Sequence, residues 1–370
     1  MFLYLYRHFK KLDLILFLAI LIIFSLGLLS IYSISISRPS LKINFDKQII
    51  FGFFGLILVL LFSFFDYRAL KNFPQPIIIL YVISILFLVG VLIFGTSVRG
   101  TRAWFHVPGS LGGFTFAPAE IVKIILVILF AKYFSQRHVE IYRIQHILIS
   151  GIYAFIPAFL ILREPDFGTA LIIIIIWFGM LLASGIKWKH LLILFLLGLI
   201  IFSASWFLFL KDYQKDRVIT FLNPQKDIEK SGYNIRQSLI AIGHGGLWGR
   251  GLGNGSQAQF GFLPEATNDF IFASFIEERG LVGAFLLFSL FAIVFWRIIK
   301  IAKNASNNFA RLFCLGFSVF LLSQLVINIG MNLGLLPVVG ISLPLFSFGG
   351  SNLIASFIGL GIIESIKVNS

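Results

Sequence analysis

A chain of 370 residues with 58% hydrophobic and only 12% charged side chains and a mean hydropathy of +0.96 is not a soluble globular domain, in which about a quarter of residues are charged. It is an integral membrane protein. The formal net charge of +14 does not call for a nucleic-acid partner, because Lys and Arg are scattered around apolar runs, where membrane topology and anionic lipid headgroups account for them.

A membrane crossing needs about 20 mostly apolar residues. Ten segments qualify: 13–32, 48–65, 77–95, 118–134, 147–162, 167–184, 190–210, 268–297, 309–333 and 349–366. Arg7, Lys10 and Lys11 ahead of the first run resemble a signal sequence. No small-residue cleavage site follows, so the first span is expected to stay uncleaved. The fourth span opens at Pro118, in the first helical turn where a missing N–H costs nothing. Glu120 and Lys123 then share a helix face, either as a ligand-facing pair or as a helix-start carboxylate with a snorkelling lysine. Arg163-Glu164-Pro165-Asp166 forms a tight turn between spans five and six, a polar hairpin tip or an ion site.

The long polar segment 211–266 holds an amphipathic stretch with Ile235, Leu239 and Ile242 on one side. It suits a helix lying on the membrane surface or packed on the bundle. The glycine-rich run Gly243–Gly255 is either a flexible loop or a phosphate cradle. Asp269 then stands at the mouth of span eight. Thr267 or Asn268 could cap that helix, and a first-turn carboxylate gains from the helix dipole. A carboxylate beside so apolar a run equally fits a site facing a cavity, partner or substrate. Glu277 and Glu278 lie roughly 12 Å deeper at 1.5 Å per residue, followed by Arg279. Such an intramembrane cluster is functional by default, unless internal pairing makes it structural. The only cysteine, Cys314, cannot form an internal disulfide, and no Cys/His metal motif is present. Gly334–Asn352, broken by prolines and glycines, is expected to be a re-entrant segment walling a cavity.

The loops on the side of the N-terminus hold 15 Lys and Arg residues, and the opposite short loops hold 6. Both termini are therefore cytoplasmic, and Asp166, Asp269 and the 211–266 loop face outward. There is no Walker-type Gly-Lys-Ser/Thr run, which weighs against an ATP-driven machine. The expected fold is an all-α polytopic membrane protein of about ten transmembrane helices. It forms one domain over 1–370, with a long extracytoplasmic loop between spans seven and eight.

Several stretches together resemble the SEDS family of bacterial cell-wall polymerases. They are Phe116-Ala117-Pro118-Ala119-Glu120-Ile121-Val122-Lys123, Glu164-Pro165-Asp166-Phe167-Gly168-Thr169-Ala170, Phe221-Leu222-Asn223-Pro224, Phe262–Ala273 and Gly334–Asn352. They occur in family order over nearly the whole chain. Thr220–Pro224, Gly255–Gln259 and Phe262–Glu265 are more similar to the RodA branch than to the FtsW branch. There are departures: Asn268 stands where the family has Thr, and Arg279 where an apolar residue is usual.

The resemblance implies a peptidoglycan glycosyltransferase that polymerises lipid II at the outer face of the bacterial cytoplasmic membrane, for cell elongation and rod shape. A division-specific role is the nearest variant. It implies Asp269 as the essential carboxylate, Glu120, Lys123 and Asp166 as further activity-linked positions, and a class B penicillin-binding protein as partner. Joining a sugar 4-hydroxyl to an anomeric carbon with inversion asks for one base, here Asp269, and stabilisation of a departing lipid diphosphate. Lys123, Arg102, Arg217 and Arg236 are candidates for the diphosphate, or a divalent cation (Mg or Mn) held by a carboxylate. Glu277 and Glu278 are expected to contact substrate. A lipid flippase or transporter would also use the Glu277–Arg279 cluster and a broken outer segment, although no internal repeat supports it. A scaffold whose charges only lock helices is the third reading.

Overall fold

The computed structural model describes residues 8–98, 101–109, 113–137, 144–208, 215 and 231–369. In chain order the helices are α1 (Leu14–Ser37), α2 (Lys42–Phe64), a short α3 (Arg68–Asn72), α4 (Gln75–Phe94), α5 (Pro118–Gln136), α6 (Ile144–Arg163), α7 (Phe167–Ala183) and α8 (Trp188–Leu208). They continue with α9 (Ser231–Gly245), α10 (Ser256–Gln259), α11 (Ile271–Asn304), α12 (Asn308–Asn332) and α13 (Gly350–Asn369). Each of the ten apolar segments is helical. Seven helices (α1, α2, α4, α6, α11, α12 and α13) are long and apolar enough to cross a membrane. The other three are α5, which carries Glu120, Lys123 and Lys132, the 17-residue α7, and α8, whose apolar stretch Trp188–Ile200 is shorter.

Apolar patterning explains the layering. From Val122 to Ala131, α5 is apolar nearly all round and wholly buried, as expected for a helix surrounded by others. α4 instead turns Ile78, Ile79, Leu86 and Phe94 outward, a lipid-facing surface. Helix starts follow local rules. Asp13 accepts from the Leu16 N–H at 3.1 Å, Asp166 from that of Thr169 at 3.0 Å and Asn307 from that of Ala310 at 3.0 Å.

The stretch between α4 and α5, expected as loop, contains a small antiparallel sheet: β1 (Thr96–Val98), β2 (Thr101–Val107) and β3 (Phe114–Phe116). β2 and β3 pair Phe105 with Phe116 and Val107 with Phe114, aromatic and β-branched residues suited to cross-strand contact. α9 packs on α11 with Ile235, Ser238 and Ala241 buried, while Leu239 is exposed. Its inner face is therefore one step round from the predicted Ile235, Leu239 and Ile242 side.

α11 has 34 residues, about 50 Å of helix at 1.5 Å per residue, against a hydrocarbon core of about 30 Å. It breaks at Gly280 (φ 66°). Continuous lipid-facing apolar exposure begins only at Leu281 and Val282. Glu277 and Glu278 lie on the short segment ahead of the break, packed against the glycine-rich segment. The glycine-rich segment 246–251 pairs with both sides of the break. Arg250 and Gly251 N–H groups donate to Glu277 and Glu278 carbonyls, and Leu281 and Val282 N–H groups donate to Gly246 and Leu247 carbonyls, at 2.9–3.1 Å. The backbone groups released by the kink are thus re-satisfied.

Candidate active site

Where α5, α11 and α13 begin, the bundle holds a cavity of about 400 Å³. Its lining includes Asn44 and Lys47 of α2, Ala103 and Trp104 of β2, Glu120 of α5 and Asp166 of the α6–α7 turn. Asn268 and Asp269 line it from the approach to α11, Gln324 from α12, and Val339–Ser342 and Phe348–Asn352 close another wall.

Asp269 stands two residues ahead of α11, which starts at Ile271 with Phe270 at its N-cap and no side-chain cap from there. Neither Thr267 nor Asn268 caps it. Thr267 Oγ1 donates to Asn268 Oδ1 at 3.3 Å, and Asn268 Nδ2 donates to Glu265 Oε2 at 3.1 Å. The cap comes from another helix: Asn332 Oδ1 accepts from the Ala273 N–H at 3.1 Å. Asn332 Nδ2 and Asn328 Nδ2 each donate to the Asp269 carbonyl at 2.9 Å, and Asn328 also reaches the Ile341 carbonyl at 2.7 Å. Both asparagines are wholly buried. They fix the Asp269 backbone against the non-helical wall, where a side chain at Gly340 would stand 3.6 Å from Asp269 Oδ2. The sequence reading missed them; the available signal was two amides four residues apart on an otherwise apolar helix face.

The wall 333–349 is non-helical, with Ile341 and Leu343–Ser347 buried and most of the rest half-buried. Ser347 Oγ donates to the Asn268 carbonyl at 2.7 Å, the Phe348 N–H to the Thr267 carbonyl at 2.9 Å, and Gln48 Nε2 to the Ser347 carbonyl at 3.0 Å. Internal partners of this kind let irregular backbone persist inside an apolar bundle.

Glu120 lines the cavity, and its Oε2 lies 2.8 Å from Lys123 Nζ. Lys123 itself is wholly buried, does not line the cavity, and has Nζ 5.5 Å from the Phe320 ring centre. It therefore balances the charge of Glu120 from behind the lining. Asp166 lines the cavity while capping α7. Its neighbour Glu164 is 1% exposed, with neither carboxyl oxygen hydrogen-bonded among the described residues. Burial, reinforced by the charge of Asp166, raises its pKa to about 8.

The other expected cations do not gather here. Arg102 is exposed on β2 and Arg236 is exposed on α9, and neither lines the cavity. Arg217 and the Phe221–Pro224 motif lie outside the described residues. The cation in the lining is Lys47, half-buried, with Nζ 6.0 Å from the Phe114 ring centre. In the sequence it appeared only as a topology charge. Gln324 is also new. It is 1% exposed, lines the cavity, and hydrogen-bonds through neither amide atom within the described structure, an arrangement that leaves its polar group for a ligand or for rotation.

Glu277 and Glu278 are not part of the lining, which corrects their expected substrate role. Glu277 accepts from the Gln257 N–H at 3.0 and 3.1 Å, the Ala258 N–H at 3.4 Å and the Ser256 hydroxyl at 3.1 Å, so it caps α10. Glu278 accepts from the Ser33 hydroxyl, the Gly253 N–H at 3.2 Å and Gln259 Nε2 at 3.3 Å. Among the described residues no three Asp, Glu, His or Cys groups converge into a metal cage. The lining carboxylates fit a cation that arrives with phosphate ligands of its own, for which one or two carboxylates are the usual protein share.

The architecture is that of a polytopic membrane protein with a carboxylate-lined chamber at one end. A family profile described as cell cycle protein, for FtsW, RodA and SpoVE, matches residues 13–370, and the chain belongs to this family. It is 39% identical over 290 residues to the peptidoglycan glycosyltransferase MrdB of Escherichia coli K12, covering 78% of this chain and 77% of that one. It is 33% identical over 368 residues to stage V sporulation protein E of Bacillus subtilis, covering 96% of each. Among solved structures it resembles a chain of a peptidoglycan synthase complex described as coordinating polymerisation and crosslinking, with TM-score 0.80, 30% identity and coverage of 97% and 98%. It also resembles the Thermus thermophilus rod shape determining protein RodA, with TM-score 0.69, 29% identity and 96% of each chain covered.

Proposed function

We propose that this protein is a peptidoglycan glycosyltransferase that polymerises lipid II into glycan strands at the outer face of the bacterial cytoplasmic membrane, in cell elongation. The observation that carries the reading is the chamber itself: Asp269, held by Asn328 and Asn332, shares it with Asp166, Glu120 and Lys47. The membrane is crossed ten times with both termini inside, so this chamber opens outward, where lipid-linked disaccharide is available and no nucleotide is needed. The Lys and Arg bias of the loops supports that orientation.

In the proposed step, Asp269 takes the proton of the acceptor sugar hydroxyl as its oxygen bonds to the donor's anomeric carbon. The bond from that carbon to the diphosphate oxygen breaks on the opposite face, and its electron pair leaves with the lipid diphosphate. One base and no protein nucleophile gives inversion. Lys47 faces the departing diphosphate, in place of Lys123, Arg102 and Arg236, which do not line the chamber. Glu120, its charge balanced by Lys123, and Asp166 orient the sugars. A Mg or Mn ion carried by the diphosphate would be held by Glu120 or Asp166. The names of the relatives and the synthase complex support a class B penicillin-binding protein as partner, with the loop 211–266 as its contact.

The test is purified protein with labelled lipid II. Asp269→Asn is expected to reduce polymer formation by about 10²–10⁴-fold without lowering the thermal unfolding midpoint. Wild-type protein that moves lipid II between leaflets, and still does so as Asp269→Asn, would mark a flippase and end this reading.

A further inference from the structure

At the opposite end of the bundle from Asp269, the ends of α1, α11 and α13 leave a second cavity of about 230 Å³, lined by Asp13, Arg297, Lys300, Ile301, Asn304 and Lys367. Its charges are unevenly matched. Arg297 Nε donates to both oxygens of Asp13 at 2.9 Å, and Nη2 makes a further contact. The Asp13 backbone N–H donates to Glu364 Oε2 at 2.9 Å. That pair is nearly buried, cancels in charge and ties α1 to α11. Lys300 and Lys367 are exposed, and neither has a carboxylate within ion-pair distance among the described residues. Lys300, Lys367 and the Asn304 amide therefore face the cavity, with Lys367 also acting on the buried Glu364 behind it. Glu364 does not line it.

Its depth follows from α11. The lipid-facing side of that helix exposes Leu281, Val282, Phe285, Leu286, Trp296 and Ile299, and the apolar run stops one residue before Lys300. Trp296 lies beneath two cations, with the Arg297 guanidinium carbon 5.4 Å and Lys300 Nζ 5.6 Å from its ring centre. Tryptophan so placed marks the headgroup level of a bilayer. Basic pockets between helix ends at that level recognise phosphate headgroups. A soluble anion would need neither this depth nor the adjoining apolar track.

We infer that this cavity binds the phosphodiester headgroup of an anionic membrane lipid. Lys300 and Lys367 neutralise the phosphate, Asn304 donates a hydrogen bond to it, and the acyl chains run along the exposed face of α11 beside Trp296. The inference stands on the membrane fold alone and is independent of the chemistry at Asp269.

The experiment uses the full chain in nanodiscs, with retention of phosphatidylglycerol against phosphatidylcholine read by native mass spectrometry. Wild type is expected to retain phosphatidylglycerol selectively. Lys300→Gln with Lys367→Gln should weaken retention about thirtyfold, and each single variant about fivefold, from the usual contribution of one surface lysine. Lys187→Gln with Lys189→Gln, outside the cavity, should leave retention unchanged. Equal loss in that control pair, or full retention in the Lys300 and Lys367 variants with an unaltered unfolding midpoint, overturns the assignment. Displacement of the lipid by millimolar glycerol 3-phosphate would make this a soluble-phosphate site and overturn it as well.

Discussion

Asp269 and the pair Glu277–Glu278 are separated by eight and nine residues, and in sequence all three are carboxylates at the entry to an apolar helix. The fold treats them differently. Glu277 and Glu278 are almost wholly buried and spend their acceptor capacity on hydroxyl, backbone and side-chain donors from α1, α10 and the glycine-rich segment. Asp269 is half-buried, lines the chamber, and has its backbone fixed by two asparagines. The capping that would have occupied it is supplied by Asn332. The difference teaches that an acidic residue near a membrane helix faces a chamber when another side chain takes over the capping of that helix.

The sharpest way to break the contrast is at Lys47. Removing a cation that faces developing charge typically costs about 10²–10³-fold in turnover. Lys47→Ala should do so in the lipid II assay with an unchanged unfolding midpoint, and full activity would remove Lys47 from the mechanism. The reverse pattern is expected at Glu277. Glu277→Ala leaves buried donors on Gln257 and Ala258 unpaired, which costs about 2–4 kcal/mol, seen as a lower midpoint in detergent. The fraction that stays folded should still polymerise.

Gln324→Leu probes the chamber from the opposite direction. Removing an unpaired buried amide should stabilise the protein by about 1–2 kcal/mol while lowering activity, and a loss of stability would mean the amide has a structural partner. The last prediction concerns pH. Folded Glu164, raised to about 8, keeps its proton while the unfolded carboxyl ionises near its ordinary value of 4.5. Its contribution to stability is full below that ordinary value and is lost as pH rises toward 8, by at most about 1.4 kcal/mol per pH unit. Midpoints measured from pH 5 to 8 should fall more steeply in wild type than in Glu164→Gln; parallel slopes would refute the assignment.

Apolar length made the helices legible, and the two prolines and four glycines of Gly334–Asn352 made the broken wall legible. Three of the chamber's acidic residues, Glu120, Asp166 and Asp269, were also nameable from the chain. What stayed hidden depends on partners far apart in sequence. Lys47, one more loop charge in the sequence, stands on α2 beside Phe114 of β3 and faces the chamber. Lys123 looks like a ligand until Glu120 and Phe320 enclose it. Glu277 looks like a substrate contact until a loop some twenty residues earlier supplies its donors. The sheet was missed because its strands are short, although Trp104, Phe105, Val107, Phe114 and Phe116 all favour extended backbone.

Gly249 and Gly280 meet where the glycine-rich segment crosses the broken helix. A Cβ added at Gly249 would stand 2.2 Å from the Glu278 carbonyl oxygen, and one at Gly280 would stand 2.4 Å from the Gly249 nitrogen. Two main chains are thus riveted together, with no room for a washer. Force applied to the glycine-rich segment is delivered to the top of α11 without slack, and with it to the stretch of backbone that carries Asp269 into the chamber.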